Sequence, residues 1–106
     1  MPEILLRYVE GAGVALYRHE ASQAAELLAP RRDLYDYSGG FSWGYGGPGP
    51  VNLSHAIVGK VFEFDGFRKS ICRKHARILL HEVIVKLKPE CEYDLPVEAL
   101  KELLTQ

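Results

Sequence analysis

Gly44, Gly46 and Gly49 spell G-x-G-x-x-G between a strand-like segment and a helical one. Read literally, that spacing cradles the pyrophosphate of a dinucleotide at the N-terminus of the following helix. The chemistry needs a buried parallel βαβ unit, whereas here the helical pattern leads to more helix. Pro48 and Pro50 also delete two backbone N–H donors from the place a phosphate would occupy. The glycines therefore read first as a tight strand-to-helix corner. A narrower expectation survives: free N–H groups near Asn52 and Leu53, with the Asn52 and Ser54 side chains, mark a place for a small anion or a partner's carboxylate. Trp43 and Tyr45 beside them are candidates for partner contact and for pinning the corner to the core.

The second group is cationic. Between positions 68 and 88 lie Arg68, Lys69, Arg73, Lys74, Arg77, Lys86 and Lys88, opposed by Glu82 alone. Lys69, Arg73 and Arg77 are spaced by four, so a helix lines them along one exposed face. Such a face suits phosphates or an acidic partner, and the candidate nucleic-acid contacts are Arg68, Lys69, Arg73, Lys74 and Arg77. Aromatic residues do not interleave that face, so it offers no stacking platform for a single strand. The next stretch reverses sign, with Glu90, Glu92, Asp94, Glu98 and Glu102 against Lys101.

Metal and catalytic chemistry find little. Among His19, His55, His75 and His81, only His75 has a cysteine at helical spacing, Cys72. That pair lacks a matching second pair, and a closed zinc site needs four ligands, so no metal and no cofactor is expected. His75 reads as a core or boundary residue. Ser54 and His55 are adjacent and diverge on a helix. Serine-hydrolase, zinc-protease and paired-carboxylate motifs are absent from the chain. Asp33 and Asp36, with Tyr35 and Tyr37, precede the glycines and could face them, but they read as ordinary loop residues. No catalytic residue is assigned.

These groups must be held by a small set of elements. Ile4–Val9 and Val14–His19 read as strands joined through Glu10–Gly13 into an antiparallel hairpin. Ala21–Ala29 reads as a short helix or a covering segment that stops at Pro30. Arg31–Ser38 reads as a structured loop or an edge, with a further strand before the glycines. After Pro50 the period becomes helical through Leu53, Ala56, Ile57, Val61 and Phe64, ending at Glu63–Gly66. Cys72, His75, Ala76, Leu79, Leu80, Val83, Ile84 and Leu87 then predict one helix over 67–87, roughly 30 Å long. Pro89 stops it. A last helix starts with Asp94 or Leu95 at its cap and Pro96 in its first turn, burying Leu100, Leu103 and Leu104. The class is α+β: a short antiparallel sheet covered by two or three C-terminal helices.

At 106 residues, 47% apolar and 25% charged, the composition is that of one globular domain spanning 1–106. A net charge of -1 exerts no global pull toward nucleic acid or an anionic membrane. No signal peptide or membrane-spanning run is read, and Cys72 and Cys91 fit free thiols in a reducing cytoplasm. Two cysteines are also enough to pair.

The stretch Gly40–Ile57 resembles the signature of a family of small uncharacterised bacterial, archaeal and phage proteins. Its core here is Phe41-Ser42-Trp43-Gly44-Tyr45-Gly46-Gly47-Pro48-Gly49-Pro50, against F-x-W-G-Y-G-G-x-G-P-x-x-L-A-x-A-I-L. The likeness runs over residues 38–104, through a helix ending near Val83-Ile84 and a short final helix. It implies a small α+β fold, a phage or mobile-element context, and no activity. Ser54-His55 stand where members carry small Ala-Leu residues, and the long helix is more basic than is typical.

The preferred expectation is a non-enzymatic accessory or protein-interaction protein, met by a protein partner through the corner or the basic face. The alternative is a nucleic-acid-binding module using the helix of 67–88. The second alternative is a small enzyme or nucleotide-binding protein using residues 44–49. A homodimer formed by trans pairing of the first strand is a further expectation.

Overall fold

The structure is a computed structural model that describes residues 1–20, 22–63 and 69–105. Its first organising feature is a two-residue turn. Glu10 and Gly11 both take positive φ, 53° and 82°. That pair of conformations matches the twist of two strands joined by the shortest loop. It joins β1 (Glu3–Val9) to β2 (Ala12–Arg18), with Val9 opposite Ala12 and Glu3 opposite Arg18.

The sheet then grows at both sides. β3 (Glu26–Leu27) pairs with β2, and β4 (Tyr93–Pro96) pairs with β1, giving the antiparallel order β3-β2-β1-β4. β1 therefore lies inside the sheet, paired with β2 along its length and with β4 over residues 3–6, so it is not the free edge strand expected to pair in trans. Alternation puts Ile4, Leu6, Ala15, Tyr17, Tyr93 and Leu95 on the face that meets the helices.

Among the described residues, three helices pack there: α1 (Pro48–Phe62), α2 (Lys69–Glu82) and α3 (Val97–Leu104). The architecture is the expected α+β class. α1 is the central element, because 11 of its 15 residues are buried, including Asn52, Ser54 and His55. A helix buried nearly all round shows little amphipathic pattern. α2 and α3 are conventional amphipathic helices, burying Cys72, Ala76, Leu79 and Leu80 on one and Val97, Leu100 and Leu104 on the other.

Four expected elements differ. Ala21 lies outside the described residues, and Glu26–Leu27 of that segment form an edge strand instead of a helix, with Leu28 turned into the core. Leu28 N–H bonds the Ala15 carbonyl at 2.8 Å, so pairing with β2 outweighs the local helix propensity. The single helix expected over 67–87 ends at Glu82, followed by one 3-10 turn at Ile84–Lys86. Residues 67 and 68 lie outside the described residues. Val83-Ile84-Val85 is a β-branched run that weakens a helix, and Val83 departs from it at φ -127°, ψ -62°. The released Ile84 carbonyl accepts the Gly44 N–H at 2.9 Å.

The third difference is β4, which occupies the residues assigned to the cap and first turn of the last helix. Pro96 ends that strand and caps α3, which begins one residue later at Val97. Arg7 holds β4 in register: it donates to the Asp94 carboxylate at 2.6 Å and to the Tyr93 carbonyl at 3.0 Å. The strand expected before the glycines shrinks to one bridge, Gly13 opposite Phe41.

Candidate functional site

Two surfaces compete for function: the cleft at the glycine corner and the exposed side of α2. At the corner, Trp43 is fully buried, packs on Tyr8 at 4.8 Å and donates its Nε1–H to the Cys91 carbonyl at 2.8 Å. It ties the corner to the segment leading into β4. Gly44, at φ 92°, lies so close to Pro89 that a Cβ there would come within 2.5 Å of the proline ring. Glycine is required at this position by both conformation and space.

The other corner candidates also bond within the chain. Asn52 is buried; its Nδ2 donates to the Gly40 carbonyl at 2.9 Å, while its Oδ1 is buried without a partner among the described residues. Ser54 is buried and its hydroxyl donates to the Pro50 carbonyl one turn back, also at 2.9 Å. Tyr45 is 51% exposed, and its hydroxyl shares a hydrogen bond with Ser42 at 2.9 Å. The cleft above them, about 460 Å³, is floored by glycines and walled by Tyr8, Tyr37, Phe41 and Tyr45. Among the described residues, Glu90 is the one charged residue lining it. The sheet behind the G-x-G-x-x-G spacing is antiparallel, and α1 is followed by α2, so the context that a dinucleotide needs is not built around it.

Asp33 and Asp36 are engaged within their own loop. Arg31 donates to Asp33 through two bonds of 2.8 and 2.9 Å, and Arg32 pairs with Asp36 at 2.7 Å. The bond from Arg31 holds the Asp33 carboxyl below its ordinary pKa, against a smaller opposing effect of burial. Tyr37 faces the glycine cleft, whereas Tyr35 faces away from it.

α2 presents a different chemistry. Lys69, Arg73, Lys74 and Arg77 are all exposed, and Arg68 lies outside the described residues. Arg73 and Arg77 form a ridge between two hollows. One is shallow, lined by Ser70, Lys74 and Ile78 in addition to the arginines. The other is a groove of about 370 Å³ between α1, α2 and the loop at Leu34–Tyr35. Among the described residues, no carboxylate pairs with Arg73, Lys74 or Arg77 within 4 Å.

His55 is the residue that sequence reasoning missed as a site component. It is only 6% exposed and lies in the wall of this groove. Its Nδ1 meets the Val51 carbonyl at 2.9 Å, and Tyr35 stacks on its ring at 5.1 Å with planes 17° apart. Burial depresses its pKa; the Val51 bond works the other way, and the Arg73 charge adds to the depression. The one signal available in advance was its position where small residues were expected.

The cysteines and remaining histidines do not assemble. Cys72 is buried, Cys91 exposed, and both are free thiols. Burial pushes the Cys72 thiol pKa upward. His75 stacks on Phe62 at 5.3 Å. His19 lies 3.6 Å from Glu26 at the far edge of the sheet. Among the described residues, no three His, Cys, Asp or Glu converge as metal ligands, and no helix is long and apolar enough to cross a membrane.

No curated protein and no solved structure matches the chain. Residues 8–105, from the second half of β1 to the end of α3, match a family of unknown function, DUF6166, and the chain belongs to that family.

Proposed function

We propose that the protein is a non-enzymatic accessory protein, of prokaryotic or phage origin, that docks an acidic protein partner on the exposed side of α2. The observation that carries this reading is the ridge of Arg73 and Arg77, exposed and without an acidic partner among the described residues, beside an apolar groove. Unpaired cations beside an apolar hollow match a surface that supplies both steering charge and buried contact. The corner supports the frame: Trp43, Asn52 and Ser54 hold it, and Tyr45 is left to contact a partner. The likeness of Gly40–Ile57 to bacterial, archaeal and phage sequences supports the origin. Residues 1–106 act as one domain, and the cytoplasm is the compartment this reading assigns.

The alternative is nucleic acid along Lys69, Arg73, Lys74 and Arg77. Their common face favours it, whereas the net charge of -1 and the apolar lining beside the arginines favour protein. A photoreactive residue at position 74, expressed in the native host, separates the two. The expected result is a protein adduct that disappears in Arg73→Glu/Arg77→Glu. A nucleic-acid adduct replaces the reading with the alternative, and absence of either adduct contradicts both.

A further inference from the structure

The groove beside α2 makes three chemical demands on an occupant. Its floor, formed by Leu34, Val51, Ala76 and Leu80, is apolar and calls for an apolar group. Its rim carries Arg73 and Arg77 one helical turn apart, which calls for an anion that two guanidinium groups can share. Its wall carries His55. A carbonyl oxygen can only accept, so the bond to Val51 places the proton on Nδ1 and leaves the lone pair on Nε2. Nε2 has no hydrogen-bond partner among the described residues and is not sealed from solvent, so it is an open acceptor on the groove wall. An open acceptor there can take an N–H or O–H donor from an occupant. Tyr35, stacked on the ring, fixes its direction.

An apolar group, an anion and a donor are therefore wanted within a space of about 370 Å³, at the small end of ligand sites. An internal stretch of chain spreads these groups over several residues. A C-terminal residue carries all three: side chain, carboxylate and peptide N–H. We propose that the groove binds the free C-terminal residue of a partner polypeptide. The apolar side chain enters the groove, the terminal carboxylate lies between Arg73 and Arg77, and the peptide N–H donates to His55 Nε2. The inference rests on the reading of α2 as a protein-docking face and names the part of the partner that is recognised.

The probes are fluorescein-labelled Gly-Ser-Gly-Ser-Leu, Gly-Ser-Gly-Ser-Val and Gly-Ser-Gly-Ser-Phe, each as the free acid and as the C-terminal amide. Anisotropy is read at low salt against the full chain. At least one free acid binds, and its amide binds about tenfold or more weakly, because a charge-assisted pair is lost. Arg73→Gln and Arg77→Gln each weaken the free acid by about tenfold. Both residues are exposed, so circular dichroism stays unchanged. Lys74→Gln, outside the groove, leaves binding unaltered. Equal binding of acid and amide overturns the inference, as does equal loss in Lys74→Gln and Arg77→Gln. Failure of every peptide, with the protein adduct at position 74 still formed, removes the groove inference and keeps the docking face. Loss of that adduct as well removes the face itself.

Discussion

At the scale of single residues, Gly44 and His55 carry the sharpest expectations. Gly44→Ala must accommodate a Cβ against the Pro89 ring at φ 92°. Strained backbone and overpacking together cost about 2–4 kcal/mol, and chemical denaturation reads it as a lowered midpoint with unchanged slope. Trp43→Phe keeps the ring contact with Tyr8 but leaves the Cys91 carbonyl without its donor, at a cost of about 1–3 kcal/mol. His55 makes the fold pH-dependent. Its folded-state pKa lies below the ordinary 6.5, because burial disfavours the charged ring. Arg73, Arg77 and His81, which line the same groove, add no negative charge to offset that. Between the folded and unfolded values the unfolded chain holds the proton and the native chain does not. The stabilisation is therefore complete above the unfolded value and is lost as pH falls through about 6.5 toward the folded pKa. Denaturation curves at pH 7.5 and about pH 5.5 should show that loss. A His55→Phe variant, which has nothing to protonate there, should show a smaller difference.

At the scale of elements, the hairpin offers a gain in stability. Glu10 sits at φ 53° in the turn, a conformation that asparagine tolerates better. Glu10→Asn should raise stability by about 0.5–1 kcal/mol, read as an upward shift in thermal midpoint. The elements also show what was legible in advance. The hairpin, the corner and α1 follow from local signals: Gly11, the run of glycines before Pro48, and the apolar residues Leu53, Ala56 and Ile57. β3 and β4 do not. Two residues at Glu26–Leu27 and four at Tyr93–Pro96 are too short to show an alternating pattern, and their stability comes from distant partners such as Arg7. The break after Glu82 was hidden because Val83, Ile84 and Leu87 keep helical spacing after the backbone has left the helix. Its cause is partly non-local, since Gly44 takes the Ile84 carbonyl forty residues away in sequence.

For the whole molecule, the fold divides the labour between its two conspicuous stretches. The glycine-aromatic corner, the strongest motif in the chain, is largely committed to structure: it anchors α1, the 3-10 turn and the path into β4. The basic residues of α2 were legible from their spacing of four. The groove beside them was not, because Leu34, Tyr35, His55, Arg73 and Leu80 come from three separated segments. Burial of His55 depends on helix packing that no local pattern reports. The central claim is that a partner is met at this groove. Backbone amide shifts recorded by NMR, while the binding free-acid peptide is titrated into labelled protein, locate the contact directly. The account predicts that the largest changes fall at Tyr35, Val51, His55, Arg73 and Arg77. Changes confined to Ser42, Tyr45 and the glycines of the corner, with the α2 groove silent, would contradict it.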